Sequence, residues 1–255
     1  MKYHDQDREA VRHSEYTIRA LVALVIVLHG ILLQQNIFSE SGIKISLGLA
    51  VSMAGWVSVA LYFCISLFKR TFNLGIIVLP IGLFALLVGA GSADNAFPID
   101  PIPHNRIPQG MGWHIALAIP AYGVLSVAFA QACLLIMQDR LLHKPNPGNR
   151  LPAFPAIQTM DANLFWLTLS GFVLMSANLV IGMAANLKNF GALLDFNHHI
   201  VFSILAWFCF ACLLLGRKIA GWRGQAAAKW TIAAFGILVL AYFGTRFVNE
   251  LLLSG

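Results

Sequence analysis

The sequence is short of charged residues. Only 11% of its 255 residues are Asp, Glu, Lys or Arg, and 58% are hydrophobic, whereas soluble domains contain about 25% charged residues. This composition excludes an ordinary soluble globular domain and predicts a polytopic membrane protein. The net charge of +6 is therefore taken as a signal of how the chain is oriented in a membrane and not as a signal of nucleic-acid binding. We expect contact with membrane lipid and no nucleic acid as a partner.

Acidic residues and reactive cysteines are also scarce where membrane chemistry would need them. Apart from Glu250 at the far end of the last predicted span, the acidic residues all lie in loops or at span edges, so the carboxylates typical of an intramembrane proton relay are missing. Cys209 and Cys212 have C-x-x-C spacing, but a thiolate is unfavourable in lipid, and we interpret both as small packed residues. No small-residue cleavage site follows the first apolar run, which predicts an anchor rather than a removed signal peptide.

Seven apolar runs remain, and each is long enough to cross a hydrocarbon core of about 30 Å. Lipid cannot satisfy open backbone groups, so every span is predicted to be helical. The predicted fold class is all-α, a polytopic transmembrane helical bundle of about seven spans, with a cytoplasmic N-terminal segment at 1–17 and the transmembrane domain at 18–255. The predicted spans are Ile18–Leu33, Ile45–Phe68, Leu74–Ala90, Trp113–Met137, Leu164–Ala184, Ile200–Leu215 and Trp230–Leu252.

Lysine and arginine indicate the orientation of these spans. With the N-terminus in the cytoplasm, thirteen of the seventeen basic residues fall in cytoplasmic segments, and the outer loops hold only Lys44, Arg106 and Lys188. The remaining one, Arg246, lies inside the last span. Because cytoplasmic loops carry the excess of positive charge, this distribution predicts a cytoplasmic N-terminus and a C-terminus on the outer side.

Five ionisable residues are then predicted to lie in the outer half of the membrane: His29, His114, His198, His199 and Arg246. His29 lies about 16 Å along the first span, past its midplane, and the other histidines open the fourth and sixth spans. Intramembrane ionisable residues cost free energy to insert and are candidates for function. Asn197 is a plausible N-cap for the sixth span, and the positive end of its helix dipole favours neutral imidazoles, the form that binds metal.

Neutral imidazoles, an apolar slot and a cation together favour haem as the ligand. Haem iron takes axial histidine and its propionates pair with arginine, whereas zinc would normally be accompanied by cysteine or carboxylate. The predicted iron ligands are His29, His114 and one of His198 and His199, with Arg246 pairing a propionate. Four of these residues also have an ordinary interpretation: headgroup anchoring for His114 and His198, a hydrogen bond between helices for His29, and snorkelling for Arg246.

Several strings, in this order and spacing, resemble the cytochrome c assembly family of membrane proteins. They are LVALVIVLHGILL, SLGLAVSMAGW, NLGIIVLPI, WHIALAIPAYGVLSVAFAQACLL, RLPAFPAIQTMD, ILAWFCFACLLLGRKIAGWRG and LAYFGTRFVNEL. Within that family the sequence is most similar to the YpjD-like inner-membrane branch, which is related to the CcsA-type haem proteins. The resemblance implies a bacterial inner-membrane protein that handles haem in c-type cytochrome assembly, with maturation components as partners. His114 matches the family's outer-face haem histidine, and His29 matches a histidine common in that branch.

The sequence also departs from the haem-delivering members. Their tryptophan-rich W-x-W-D-P-K-E loop is replaced by GMAANLKNFGALLDFNHH, and Leu215 stands where they have a histidine. They also carry an outer histidine near the C-terminus, which this chain lacks. We therefore expect no covalent chemistry by this chain alone. An alternative is a cofactor-free accessory or regulatory subunit of a tetrapyrrole-synthesis enzyme or an ion transporter, docking through the basic segment Gly216–Lys229, although basic residues there are also typical of cytoplasmic loops.

Overall fold

A computed structural model describes residues 2–39, 42–44, 46–68, 72–93, 110–143, 155–191 and 198–247. Within these ranges the chain forms seven α-helices and one two-stranded antiparallel ladder, β1 (Phe38–Ser39) with β2 (Gly42–Ile43). The prediction of an all-α polytopic helical membrane protein is confirmed. The helices are α1 (Lys2–Ile37), α2 (Leu47–Phe68), α3 (Phe72–Ala93), α4 (Met111–Leu142), α5 (Ile157–Phe190), α6 (His198–Ile219) and α7 (Gln225–Phe247).

The first six helices are long and apolar enough to cross a membrane, and α7 is apolar over Gln225–Ala241 within the side chains that the structure describes. Several helices extend beyond the apolar runs that predicted them. The α1 helix begins at Lys2 rather than Ile18, α4 continues to Leu142, and α5 begins at Ile157. Apolar composition indicates only the part of each helix that lies in lipid. The backbone hydrogen bonds of the helix continue into the polar residues beyond that part.

Consecutive helices run antiparallel, as their side-chain contacts demonstrate. Between α1 and α2, His29 contacts Ser52 while Arg19 reaches the Ser66 carbonyl. The same reversed order relates α4 to α5, α5 to α6, and α4 to α7. The bundle therefore has two ends. We call the end where α2, α4 and α6 begin the histidine end, and the end where they finish the basic end.

The α4 helix forms the centre of the bundle and packs against α2, α3, α5 and α7. Its middle is fully buried, with no exposure at Leu125, Val127, Ala128, Ala130 and Ala132. Because lipid tails are as apolar as leucine, such packing is stabilised mainly by van der Waals contact between closely fitted surfaces. Because α4 is buried on several sides, its contacts determine where α2, α3, α5 and α7 lie around it.

Small residues allow α2 and α3 to approach closely. Gly75, Gly82 and Gly89 recur every seven residues on α3, and the space where each would carry a Cβ is occupied by a side chain of α2. At the matching position on α2, Gly55 lies against the Cβ of Ala85. Stripes of small residues are a common way for transmembrane helices to pack.

A buried ion pair stabilises the basic end. Both terminal nitrogens of Arg217 donate to the Asp161 carboxylate, at 3.1 and 2.7 Å, and the backbone N–H of Gly224 donates to the same carboxylate at 2.8 Å. Asp161 is only 7% exposed. This carboxylate therefore ties the start of α5 to the end of α6 and to the turn before α7.

Replacing Gly55 by alanine should destabilise the bundle by about 1–3 kcal/mol, because the new methyl group would overlap the Cβ of Ala85, which has no rotamer to change. Gly236→Ala is the matched control, since no atom lies near its Cβ position. The thermal unfolding midpoint in mild detergent measures both. Equal midpoints for the two variants would contradict the close approach of α2 and α3.

Replacing Asp161 by alanine should cost about 3–5 kcal/mol, because Arg217 would remain largely buried without its partner. Asp139→Ala removes a carboxylate that accepts a bond from neutral Gln225 and should cost less, at about 1.5–3 kcal/mol. The same thermal measurement ranks the two variants. A smaller loss for Asp161→Ala than for Asp139→Ala would show that the ion pair does not stabilise the basic end.

Candidate functional site

The candidate site is built around His114, in the first turn of α4. The helix begins directly after Gly110, whose φ of 88° requires the left-handed conformation that glycine adopts readily. The imidazole is half-buried, and its Nδ1 lies 3.2 Å from the backbone carbonyl oxygen of Asn178 on α5. The sequence prediction that this histidine opens a span is confirmed.

The partner of Nδ1 decides which ring nitrogen of His114 is free. A carbonyl oxygen accepts hydrogen bonds and cannot donate them, so the proton lies on Nδ1 when the neutral ring makes this contact. The lone pair of Nε2 is then available. Histidines that bind metals usually have this arrangement, with the second ring nitrogen donating to a carbonyl or carboxylate.

Gly182 on α5 makes room for the imidazole of His114. A Cβ at that position would lie 2.8 Å from Nδ1 and 2.9 Å from Cε1, too close for any side chain without displacement of the ring. Close by, the Cβ position of Gly110 lies 3.2 Å from Ala185. The first turn of α4 therefore rests directly on the last turns of α5, and this contact fixes the position of His114.

Two buried polar atoms on α5 flank this contact. The Oδ1 of Asn178 and the Nδ2 of Asn186 have no hydrogen-bond partner among the described residues. Asn178, Gly182 and Asn186 are spaced four residues apart, which keeps them along one side of the helix. A buried unpaired polar atom costs about 1–3 kcal/mol, so this surface offers one acceptor and one donor to a polar ligand group beside His114.

His29 has a different environment. It lies on α1 with 4% exposure, and its Nε2 is 2.8 Å from the Ser52 hydroxyl of α2. A serine hydroxyl can donate or accept, so this bond leaves both tautomers possible. Nearby, the indole N–H of Trp56 donates to the Ile26 carbonyl of α1 at 2.8 Å. His29 thus joins α1 to α2, and Nδ1 is the ring nitrogen that this bond leaves available.

The remaining candidates are described by their backbone, since their side chains lie outside the described part of the structure. The α6 helix begins at His198 and includes His199, as predicted, whereas Asn197 lies outside the described residues. Extending the α5–α6 register set by Trp207 and Arg217 places His198 level with residues 180–185 of α5. This is the level of Gly182 and therefore of His114.

Arg246 lies in the last turn of α7. The contacts of Tyr122 with Leu238 and of Phe129 with Phe235 set the α4–α7 register, and its continuation places the Arg246 backbone level with residues 114–118. The α2–α4 contacts at Ser58 place His29 about one helical turn deeper than His114. All the predicted residues thus belong to the histidine end, but His29 and His114 contact different helices.

Among the described residues, no group of three His, Cys, Asp or Glu side chains is arranged to hold a metal ion. Cys64 and Cys212 are exposed on the outside of the bundle rather than packed, and Cys209 is partly buried. The expectation that Cys209 and Cys212 are both packed was therefore wrong for Cys212. This C-x-x-C pair lies near the middle of α6, about three helical turns from His198.

Comparison with known proteins identifies the family. The model of the family described as Cytochrome C assembly protein matches residues 16–253. The chain belongs to the cytochrome c assembly protein family. The recognition made from the sequence strings is confirmed, and the matched region contains all five candidate residues.

Relatives of this cytochrome c assembly protein include the inner membrane protein YpjD of Escherichia coli K12. It is 31% identical over 238 residues, which cover 92% of this chain and 86% of YpjD. An uncharacterized 28.8 kDa protein in the nifR3-like 5′ region of Azospirillum brasilense is 27% identical, over 80% of this chain and 76% of that protein. Protein HemX of Bacillus subtilis is 27% identical over 51% of this chain and 47% of HemX. No solved structure matches the chain.

Gly182→Ala should break the hydrogen bond between His114 and Asn178, because the added methyl group overlaps the imidazole. Histidine ¹⁵N NMR should give a protonated Nδ1 for His114 in the unchanged protein and an altered pattern in this variant. The signal is assigned by its loss in His114→Ala. Gly112→Ala is the control, because Gly112 lies in the first turn of α4 beside His114 and has open space at its Cβ position. An unchanged His114 signal in Gly182→Ala would contradict the contact.

Proposed function

We propose that this cytochrome c assembly protein binds haem at the histidine end of its bundle, in support of c-type cytochrome assembly. One observation carries the proposal: the Nδ1–H of His114 is held by the Asn178 carbonyl, which leaves Nε2 free. This orientation suits iron ligation, because histidines that bind metals usually donate the other ring N–H to a carbonyl or carboxylate. Membership of the family supports haem handling as the context.

The residues at this end fit a haem group in three respects. Nε2 of His114 is a free imidazole nitrogen, Gly182 provides the space that holds its ring, and the Nδ2 of Asn186 is a buried donor in want of an acceptor such as a propionate. Iron would supply a redox-active centre open to axial ligands. The second ligand in this proposal is His29 or one of His198 and His199, and Arg246 pairs with a propionate.

The proposed location is the periplasmic side of a bacterial inner membrane. The printed name of the YpjD relative supports the inner membrane. The distribution of Lys and Arg supports a cytoplasmic N-terminus and a periplasmic C-terminus. In that orientation the histidine end faces the periplasm, where c-type cytochromes mature, and maturation components are the proposed protein partners.

The proposed role is to hold and orient haem rather than to attach it. The tryptophan-rich attachment loop of haem-delivering members is missing from the sequence between Gly182 and His199, and the proposal includes no covalent step. Within it, His114 binds iron and Asn178 orients His114. A cofactor-free accessory subunit is the competing function, and the basic turn after α6, held by Asp161 and by the Trp222–Trp230 stack, favours it as a surface for docking a cytoplasmic partner.

The full-length protein, purified in mild detergent and mixed with haemin, should develop a Soret band. His114→Ala should lose most of this band, because iron loses its oriented ligand. Gly182→Ala should bind haemin about 10- to 100-fold more weakly, the usual cost of disturbing the group that orients a metal ligand. Titration followed by visible absorption measures both affinities, and His29→Ala, His198→Ala and His199→Ala identify the second ligand.

His143→Ala is the control for the haemin titration, because His143 is an exposed histidine at the basic end of α4. It should leave the Soret band unchanged. A protein that stays colourless with added haemin would favour the accessory subunit. Binding by His114→Ala equal to that of the unchanged protein would exclude His114 as the ligand.

A further inference from the structure

The turn between α6 and α7 at the basic end is unusually well fixed. Asp161 holds it through Arg217 and through the Gly224 N–H. The Gly216 carbonyl accepts the N–H groups of Ala220, at 2.8 Å, and Trp222, at 3.3 Å. These bonds fold residues 220–224 back onto the end of α6.

Glycine and tryptophan complete the turn. Trp222 stacks on Trp230 of α7, with ring centroids 5.4 Å apart and planes 14° apart. A side chain at Gly216 would overlap the Trp222 ring, and Gly221 and Gly224 have φ values of 66° and 57°, in the left-handed region. The position of this turn is therefore determined by side-chain contacts on both helices.

Three cations on this turn or beside it in α6 and α7 have no acidic partner among the described residues. Asp161 neutralises Arg217, which leaves Lys218, Arg223 and Lys229, all exposed. Arg223 and Lys229 each adjoin one member of the Trp222–Trp230 stack in the sequence, so the stack brings their backbones near each other. The segment from Gly216 to Lys229 contains no acidic residue.

Apolar groups accompany these cations. Ile219 is 81% exposed and Trp230 is 37% exposed. Tryptophan is enriched where a protein crosses the boundary between lipid tails and headgroups. Cations beside an exposed isoleucine and a tryptophan suit a ligand that has both a negative headgroup and apolar chains.

We propose that Lys218 at the end of α6, Arg223 in the turn and Lys229 at the start of α7, with Trp222 and Trp230, bind the phosphate headgroup of an anionic phospholipid at the basic end of the bundle. The bias of Lys and Arg towards cytoplasmic loops sets the orientation of the spans during membrane insertion, so it depends on the number of positive charges and not on how they are arranged. Here the contacts of Asp161 and the tryptophan stack also fix the backbone of the turn that carries Arg223 and adjoins Lys229. This site is separate from the histidine end and does not depend on haem binding.

Native mass spectrometry of the full-length protein, with phosphatidylglycerol or phosphatidylcholine added to the detergent, tests the proposal. The unchanged protein should retain phosphatidylglycerol in preference to phosphatidylcholine. Each cation removed should weaken this binding about fivefold, so the triple variant Lys218→Ala, Arg223→Ala, Lys229→Ala should lose roughly a hundredfold. The charge-preserving triple variant Lys218→Arg, Arg223→Lys, Lys229→Arg should keep most of it, which separates lost charge from lost folding.

Two further variants separate a fixed site from general attraction. Lys188→Ala removes an exposed cation in the last turn of α5, at the histidine end, and should leave phosphatidylglycerol binding unchanged. Trp222→Ala keeps the three cations and the Asp161–Arg217 pair but removes the tryptophan stack, and should reduce the preference for phosphatidylglycerol. The proposal would be overturned if Lys188→Ala weakened phosphatidylglycerol binding as much as the triple alanine variant does. It would also be overturned if the triple alanine variant bound phosphatidylglycerol as tightly as the unchanged protein. Competition by free inorganic phosphate at equal concentration would overturn the assignment to a lipid.

Discussion

The contact between the first turn of α4 and the last turns of α5 determines how His114 is oriented at the histidine end. At Gly182 the backbone of α5 comes close enough for the imidazole of His114 to reach the Asn178 carbonyl. That bond selects a tautomer, and the tautomer decides which nitrogen faces a ligand. The orientation depends on a missing side chain at one position and a backbone acceptor one turn away, and a histidine on an isolated helix would have neither.

The two ends of the bundle use different physical chemistry. Between them, small residues and the central α4 helix provide close packing, as expected where lipid supplies no hydrophobic driving force between helices. The histidine end keeps polar atoms buried without partners, on Asn178 and Asn186. The basic end satisfies its buried carboxylate completely, through Arg217 and Gly224. The unpartnered amide atoms of Asn178 and Asn186 can accept or donate to a polar group beside His114, whereas the paired Asp161 carboxylate anchors the fold at the basic end.

The sequence predicted the features that depend on composition along the chain. Seven helices, the start of α6 at His198 and the position of His114 in the first turn of α4 all follow from where apolar runs begin and end. The parts of helices that extend beyond the apolar runs, such as α1 from Lys2 to Thr17, were missed. Hydropathy detects only the apolar part of a helix, so it gives no signal for polar helical residues. The five candidates could be assigned a common end from topology alone.

Contacts between distant residues could not be predicted in this way. Asp161 and Arg217 are 56 positions apart, and a single sequence gives no signal that pairs them. Gly182 and Asn178 lie in a helix that is apolar on nearly every side, so periodicity does not indicate which face meets α4. The four-residue spacing of Asn178, Gly182 and Asn186 at the end of an apolar run was the available signal for that surface.

The central claim is that His114 binds haem iron through Nε2. It is tested most directly by an electron cryomicroscopy structure of the full-length protein in lipid nanodiscs after incubation with haemin. The account predicts iron bonded to Nε2 of His114, with Nδ1 still at the Asn178 carbonyl and Gly182 beneath the ring. Iron bonded elsewhere in the protein, or a His114 ring turned outward to lipid, would contradict it.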